Sequence, residues 1–259
     1  MANEYHTGPI RVEGCAVNDF LLTNHLPPNE APAVIERDRL LMSARPGFNR
    51  KLLPLSIEPE SNKIFCGGRY LFDTYENLEA FAHWCKYEFE IDGVLIFDRP
   101  DFTEISTRIY RVIGAHDFKD IHSAQIAYRT EIWNSDDKGL EDKLLKLWPA
   151  LRDRAESENK SSLWLLHNAE AGEVALVTVI DRTGPYSKSD LDYTTLDRAQ
   201  SAPSYGEEWK WAKKTFDRSH WVYAVWFPNN NHVSDKSPLW PNSPPLPATQ
   251  AWMNSSSEA

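Results

Sequence analysis

Cysteine is scarce in this sequence, which has three among its 259 residues: Cys15, Cys66 and Cys85. Their number is odd, they lie far apart, and no two of them form a C-x-x-C pair. Neither a disulfide framework nor a zinc-binding motif is therefore indicated. We expect three reduced and mostly buried thiols.

Long hydrophobic runs are absent as well. No stretch of about 18 uncharged apolar residues could cross a bilayer as a helix. The first ten residues, MANEYHTGPI, lack the basic and apolar regions of an export signal. We therefore expect a cytoplasmic protein without a membrane partner.

Basic residues are in the minority. The 28 Lys and Arg against 38 Asp and Glu give a formal net charge of −10, and the basic residues do not form a stripe. Such a chain would repel the phosphates of nucleic acid, so we expect no nucleic-acid partner.

Aromatic residues, by contrast, are abundant, with ten Trp, ten Tyr and eleven Phe. Their side chains often line pockets for flat or apolar ligands, although cores and interfaces use them equally well. We take Phe72, Trp84, Trp133 and Trp164 as candidate substrate-binding residues.

The first half of the chain predicts the element order β-α-β-β-α-β. A strand over Ile10–Leu22, a helix over Ala31–Ala44 and strands over Phe48–Ile57 and Ile64–Phe72 come first, followed by a helix and closing strands over Val94–Phe97 and Thr107–Ile113. The later helix begins with the D-x-x-E capping box of Asp73 and Glu76. Apolar residues at helical spacing form its buried face: Leu78, Phe81, Ala82, Cys85 and Phe89.

The second half repeats this order. We predict a strand over Gln125–Trp133, a helix with Leu140, Leu144, Leu147 and Leu151 on one face, a hairpin of Leu163–His167 and Val174–Asp181, helical material within Ser189–Lys213, and a closing strand over His220–Phe227. Pro149 is expected to bend or interrupt the helix that contains it.

Both halves fit the split β-α-β arrangement, in which each sheet has helices on one face and needs cover on the other. The predicted fold class is α+β, with tandem ferredoxin-like (βαββαβ) repeats that form a pseudo-dimeric α/β barrel. The predicted domains are a first repeat over 1–115, a linker over 116–124, a second repeat over 125–228 and a Pro/Ser-rich arm over 229–259. Because the linker can span the two repeats, we expect one chain to hold a whole barrel. A homodimer would then use outer surfaces.

Two motifs in the first half resemble a known superfamily. The Pro46-Gly47-Phe48 turn and the Gly67-Gly68-x-Tyr70-Leu71-Phe72 strand, followed by an acidic helix start, are similar to the antibiotic-biosynthesis-monooxygenase-like dimeric α/β-barrel superfamily, and most of all to its putative mono-oxygenase branch. The resemblance covers about residues 33–115, and in the second half it rests on element order alone. It implies pockets between the sheet and the helices of each unit. The superfamily includes cofactor-independent oxygenases, isomerases, cyclases, lyases and proteins without known activity, so the fold does not fix the reaction.

Two residues of the first half are candidate catalytic groups. His83 lies where relatives often carry a histidine, and a neutral imidazole in an apolar pocket could abstract a proton near pH 7. Its helical position is roughly 140° from the apolar face, which favours solvent instead. Tyr70 could hydrogen-bond a substrate carbonyl or phenol, or it could simply pack.

The second half offers Arg129, Glu131 and His167. Charged residues inside a strand are costly unless they are paired or functional. If their face lines a pocket, His167 could act as base or acid, Arg129 could stabilise an oxyanion and Glu131 could orient Arg129. The alternative is a buried Arg–Glu pair that satisfies itself, with His167 in a turn.

We expect no metal and no organic cofactor. The segment from His116 to His122 holds two His and two Asp, but its spacing matches no standard site. No sequence feature identifies an axial ligand for haem. The leading hypothesis is a cofactor-independent, monooxygenase-like enzyme of secondary metabolism that acts on a small hydrophobic, aromatic or polycyclic substrate. The alternatives are an isomerase, cyclase or lyase that uses the same acid–base residues, and a non-catalytic small-molecule-binding protein.

Overall fold

The architecture was obtained as a computed structural model, which describes residues 7–22, 39–54, 56–57, 64–91, 93–100, 102–121, 126–181, 205–206 and 209–228. It is a mixed α+β fold, dominated by antiparallel strands. The strands in chain order are β1 (Gly8–Pro9), β2 (Gly14–Leu22), β3 (Phe48–Pro54), β4 (Ser56–Ile57), β5 (Ile64–Phe72), β6 (Glu90–Ile91), β7 (Val94–Leu95), β8 (Phe102–Asp117), β9 (Ile126–Asn134), β10 (Ser162–Asn168), β11 (Glu173–Asp181) and β12 (Lys213–Trp226).

The described helices are α1 (Tyr75–Tyr87), α2 (Leu140–Ser157) and a 3-10 turn at Ile96–Asp98; residues 39–43 are also helical. Neither α1 nor α2 is apolar enough over a sufficient length to cross a membrane. The rest of the helix predicted over Ala31–Ala44 and the arm 229–259 lie outside the described residues.

Ten strands form one sheet in the order β1-β8-β10-β11-β9-β12-β3-β5-β2, in which β4 pairs with β5 and β8 pairs additionally with β2. The two longest strands each have two partners. The first part of β8 pairs with β2 and its last part with β10. The first part of β12 pairs with β9 and its last part with β3. Each long strand therefore joins residues of the first half to residues of the second.

Side chains on the two faces of the strands form three cores. Around α1, the α1 core contains Phe48, Tyr70, Phe72, Phe81 and Trp226 among others. Around α2, the α2 core contains Trp133, Leu144, Leu163 and Leu165. On the opposite face of the strands, alternate residues of both halves meet in the interior core, which includes Val17, Leu71, Tyr128, Trp164 and Val177.

Helix α1 confirms the predicted apolar face, because Leu78, Phe81 and Cys85 are its buried residues. The cap differs by one position. Thr74 is the N-cap, and its side chain accepts a hydrogen bond from the Asn77 backbone N–H. Asp73 instead accepts hydrogen bonds from the backbone of Thr74 and the side chain of Asn77. Either carboxylate or hydroxyl oxygens can satisfy these first N–H groups, so sequence alone could not choose between the two residues.

The strands that close each half are longer than predicted. The β8 strand runs to Asp117, so His116 and Asp117 belong to a strand and not to a linker. The β12 strand begins at Lys213. Of the segment Ser189–Lys213, within which helical material is predicted, residues 189–204 and 207–208 lie outside the described residues, and residues 209–212 form a turn. Lys214 lies outside the strand predicted over His220–Phe227, yet pairing with Trp133 on β9 keeps it in extended conformation.

Two further predictions need correction. Val94–Leu95 pairs only with β6 in a separate two-stranded sheet, and the expected strand does not continue to Phe97. Of the two effects predicted for Pro149, a bend or an interruption, the interruption is wrong, because Pro149 lies inside α2 without ending it. The proline ring and the carbonyl that it leaves unpaired lie on an exposed part of the helix, where water can satisfy that carbonyl.

Candidate functional site

A buried lysine, Lys51, lies between two aromatic rings of the α1 core. Lys51 stands opposite Tyr70 on one side and opposite Trp226 on the other, in the registers of β3 with β5 and with β12. Its Nζ lies 4.7 Å from the ring centroid of Tyr70 and 4.1 Å from that of Trp226. The residue is 4% exposed. Rings of this kind stabilise an ammonium that has been removed from water.

Met42, in the short helical segment, closes this arrangement. Its sulfur lies 3.8 Å from Lys51 Nζ and 3.5 Å from the Tyr70 hydroxyl. A thioether is a weak, polarizable acceptor. The neighbours of the Lys51 ammonium therefore include a soft sulfur as well as two aromatic rings.

Gly68 makes room for these two side chains. A Cβ at this position would lie 2.5 Å from Lys51 Cε and 2.7 Å from a Tyr70 ring carbon. The neighbouring Gly67 has a φ of 138° and faces the backbone of Asn18. Gly67 therefore lets a backbone approach closely in a conformation that other residues rarely adopt, and Gly68 leaves the room that the side chains of Lys51 and Tyr70 fill.

A second cation, Arg45, lies over the ring of Trp84 beside the α1 core. The Arg45 guanidinium carbon lies 4.4 Å from the centroid of the Trp84 ring, which stacks at 4.2 Å on Phe89. Arg45 Nε is buried without a hydrogen-bond acceptor among the described residues. Burial raises the pKa of the Cys85 thiol to about 12, while the charges of Lys51 and Arg45 act in the opposite direction. Both cations are therefore close enough to act on the same buried group.

The first-half candidates do not all lie together. Tyr70 and Phe72 are buried in the α1 core, with Trp84 packed against them. Phe72 packs between Phe48 and Phe81, which is a core position. His83 lies elsewhere: its side chain is 63% exposed and its Nδ1 is 3.2 Å from Glu88 Oε1. The structure places this histidine at the surface of α1, on the side that the helical periodicity favours.

Arg129 and Glu131 lie in a four-charge network with two residues of β12. Arg129 donates to both carboxylate oxygens of Asp217, at 2.8 and 2.7 Å, and its Nη2 is 3.3 Å from Glu131. Lys214 Nζ lies 2.6 Å from Glu131 and 3.0 Å from Asp217. Two cations and two carboxylates thus balance one another, as the self-satisfying alternative expects.

Burial raises the pKa of Asp217, but hydrogen bonds from Arg129 and Lys214 outweigh it and hold this pKa below its ordinary value. The network therefore keeps the Asp217 carboxylate ionised. Lys214 also lies 5.3 Å from the ring centroid of Trp133, which packs against Trp209 in the α2 core.

His167 does not lie next to Arg129, because β11 separates their strands. It is buried on β10 opposite Val174, which in turn stands opposite Trp133. Arg129 lies four residues from Trp133 along β9. Arg129 and His167 are therefore about 13 Å apart along the strands and about 10 Å apart across them. The predicted grouping of base, oxyanion stabiliser and orienting carboxylate is therefore not assembled. His167 faces Glu141, with its Nδ1 4.0 Å from a carboxylate oxygen, and its burial lowers its pKa.

Trp164 faces the interior core, away from Trp133, and its indole N–H donates to Ser162 Oγ at 2.9 Å. The interior core also contacts a buried cation of its own, Arg69, which donates to Thr130 Oγ1 and to the Asp19 carboxylate. This pairing makes Arg69 a structural group.

Sequence reasoning missed Lys51, Arg45 and Trp226. One signal was present, because Lys51 lies inside an apolar strand, where a charged residue needs a partner or a function. No signal linked it to Trp226, since only the sheet register brings them together.

The described residues contain no group of three His, Cys, Asp or Glu side chains that could hold a metal ion. In the segment that begins at His116, Asp117 pairs with Arg50, and His122 lies outside the described residues.

No family model matches the chain, and no curated protein matches it. Solved structures do match. A putative monooxygenase from Fusobacterium nucleatum subsp. nucleatum aligns with a TM-score of 0.50 and 12% identity, over 83% of this chain and 93% of its own. A putative monooxygenase from Lactobacillus acidophilus has a TM-score of 0.49 and 8% identity, over 84% of this chain and 97% of its own. An anthrone oxidase-like protein has a TM-score of 0.48 and 11% identity, over 86% and 96%. At 12% identity, what the first of these likenesses shows is the fold: the chain has the mixed α+β fold of a monooxygenase-like protein.

Proposed function

We propose that this protein is a cofactor-independent, monooxygenase-like enzyme that oxidises a small hydrophobic aromatic molecule in the α1 core. The observation that carries the proposal is the buried ammonium of Lys51 between the rings of Tyr70 and Trp226. The likeness to a structure described as a monooxygenase supports the same reaction class. Fold likeness alone does not fix a reaction, so the proposal depends on the residues of the site.

The strand pairings support a duplicated origin for this site. In the first half β2 pairs with β5 and β8, and β3 with β5; in the second half β9 pairs with β11 and β12, and β10 with β11. We therefore propose two ferredoxin-like repeats within one chain. The reciprocal pairings of β8 with β10 and of β12 with β3 support a barrel made from both repeats.

A buried ammonium suits a reaction that passes through an anion. A phenol that loses its proton becomes an electron-rich phenolate, and a fixed cation beside its oxygen stabilises that charge more strongly than water-exposed lysine would. The phenolate carbon can then reduce dioxygen. A dihydroxynaphthalene illustrates the balance: C10H8O2 and O2 give the hydroxyquinone C10H6O3 and water. One oxygen atom of dioxygen replaces a ring hydrogen, and the other leaves as water with the two hydrogens that the substrate loses.

The first repeat is the better place for this chemistry. In the second half, Arg129, Glu131, Lys214 and Asp217 neutralise one another, and so Arg129 has no need of a substrate anion. In the α1 core, the contacts of Lys51 include the rings of Tyr70 and Trp226 and the thioether sulfur of Met42. An aromatic phenolate would bring both a ring and a negative charge to this ammonium.

Oxygen uptake with an electron-rich phenol such as 1,5-dihydroxynaphthalene tests the proposal. We expect uptake by the wild type and a fall of about 100-fold in kcat for Lys51→Met, as when an oxyanion stabiliser is removed. Lys143→Met is the matched control, because Lys143 also lies over a tryptophan ring, that of Trp211, but outside the α1 core. Equal rates for the two variants would contradict the role of Lys51.

Repeating the assay under nitrogen distinguishes the oxygenase from the alternative functions. Turnover of the phenol under nitrogen would identify an isomerase, cyclase or lyase instead of an oxygenase. Binding of the phenol without any turnover would identify a small-molecule-binding protein.

A further inference from the structure

Two arginines from distant strands meet at one end of the interior core, on the face of the strands opposite the α1 core. Arg108 extends from β8 to Phe216 on β12, with its guanidinium carbon 5.9 Å from the ring centroid. Arg218, two residues further along β12, contacts the same ring at 5.6 Å. Three strands separate β8 from β12 in the sheet order, so the two guanidiniums meet across the interior core.

Positive charge is in excess at this place. Arg108 Nε lies 3.8 Å from Glu173 Oε1, and the other oxygen of that carboxylate accepts a hydrogen bond from the Tyr110 hydroxyl at 2.8 Å. Arg218 makes no ion pair with any residue that the structure describes. Two cations therefore share one carboxylate, on a chain whose net charge is −10. A local excess of this kind attracts anions that the rest of the surface repels.

Solvent reaches both guanidiniums. Arg218 is exposed, and 31% of the Arg108 side chain is accessible. A ligand can approach them from outside, and it needs no cavity within the packed core.

A third arginine, Arg69, lies buried beneath them with an unused donor. Its Nε donates to Thr130 Oγ1 at 2.9 Å and its Nη1 to Asp19, whereas its Nη2 is buried without an acceptor among the described residues. In the fixed fork of a guanidinium the Nε–H and one Nη2–H bond are parallel, so this N–H lies on the Thr130 side. Arg218 stands opposite Thr130 in the register of β12 with β9. A buried donor without an acceptor costs free energy unless something absent from the chain supplies one.

We propose that this end of the interior core binds a phosphate group, held by Arg108 and Arg218 with Arg69 beneath them. A carboxylate has two oxygens, which one planar guanidinium can occupy. A phosphate has enough oxygens to accept from two guanidiniums and from a third donor. The site lies on the other face of the strands from Lys51, so it does not depend on the proposed oxidation.

Isothermal titration calorimetry of the full chain with inorganic phosphate at pH 7.5 tests the proposal. The ionic strength is held constant with NaCl, because salt screens exposed charges. Arg218→Gln should weaken binding at least about tenfold, a typical effect of losing a charged hydrogen bond. Glu173→Gln keeps an acceptor for Tyr110 but removes the carboxylate that competes for Arg108, so it should tighten binding about threefold. A misfolded variant could not bind phosphate more tightly, and this gain therefore excludes an effect of folding.

Arg152→Gln is the matched control, because Arg152 is an exposed arginine of α2 that pairs with Asp153. It should bind phosphate as the wild type does. Methyl phosphate, titrated in parallel, distinguishes two sources of the ligand: binding of both compounds supports a phosphate ester, and binding of inorganic phosphate alone supports the free ion.

Four results would overturn the proposal. They are no binding by the wild type at about 10 mM phosphate, an unchanged affinity in Arg218→Gln, an equal loss in Arg152→Gln, or no gain in Glu173→Gln.

Discussion

Lys51 and Trp226 face each other across two antiparallel strands, with the lysine ammonium 4.1 Å from the centre of the indole ring. Lys51 belongs to the first half of the chain and Trp226 to the last described strand. The second half therefore supplies one of the two aromatic rings that flank this buried lysine. Stability and binding should both depend on this contact.

Trp226→Ala should lower the free energy of unfolding by about 3–5 kcal/mol, because it empties a buried ring-sized volume and removes a stabilising contact of Lys51. Urea denaturation at pH 7 measures the change. Leu145→Ala removes an exposed apolar side chain of α2 and should cost little, and Trp226→Phe, which keeps a ring, should lie between the two. A loss of stability no larger than that of Leu145→Ala would show that Trp226 does not pack as described.

Gly68→Ala should destabilise the fold by about 1–3 kcal/mol, which is the usual cost of overpacking a filled core. The added Cβ would meet Lys51 Cε at 2.5 Å and a Tyr70 ring carbon at 2.7 Å, so both side chains would have to shift. A double-mutant cycle with Lys51→Ala checks this cause. The cost of Gly68→Ala should fall once the lysine side chain is gone, and an unchanged cost would point to the backbone instead.

The four-charge network predicts an acid-sensitive contribution to stability. Despite its burial, Asp217 has a pKa below its ordinary value of 3.8, because Arg129 and Lys214 donate hydrogen bonds to its ionised form. That contribution is fully present above the ordinary pKa and is lost as the pH falls through the lower folded-state value. Asp217→Asn should therefore be less stable than the wild type at pH 7, and the difference should shrink below about pH 4.

Urea denaturation between pH 2 and 7 would measure this difference. Asp153→Asn is the control, because Asp153 pairs with Arg152 at the exposed surface, where an ion pair contributes little. A pH-independent difference for Asp217→Asn would mean that the carboxylate charge is not what the network stabilises.

The buried His220 should make the free energy of unfolding depend on pH in a second, higher pH range. Its ring stacks on Phe65 at 3.6 Å, and burial together with the charges of Arg69 and Arg218 lowers its pKa well below 6.5. Below pH 6.5 the unfolded chain binds a proton that the folded protein does not, so stability falls as the pH falls from 6.5 toward the folded-state pKa.

His220→Gln should flatten the change in unfolding free energy between pH 7.5 and 5.5. His167→Gln should have the same sign but a smaller effect, because burial lowers the pKa of His167 less strongly and Glu141 opposes the shift. An equal pH dependence in the wild type and His220→Gln would show that the imidazole is protonated in the folded state.

Several features followed from the sequence alone because they depend on neighbours along the chain. The apolar spacing of Leu78, Phe81 and Cys85 predicted the buried face of α1, and the exposure of His83 follows from the same 3.6-residue period. Arg129 and Glu131 inside β9 indicated either a functional group or a pair that satisfies itself, and in the structure the two residues are paired.

Only the tertiary structure decided which of these residues meet. The register of β12 with β3 brings Trp226 beside Lys51, and the register of β9, β11 and β10 keeps His167 away from Arg129. Strand alternation predicts the face on which a side chain lies, but the neighbour across the sheet depends on which strands pair and in which register. Contacts between distant segments depend on packing of the whole fold, and for that reason the sequence predicted the elements of this protein but not the composition of its site.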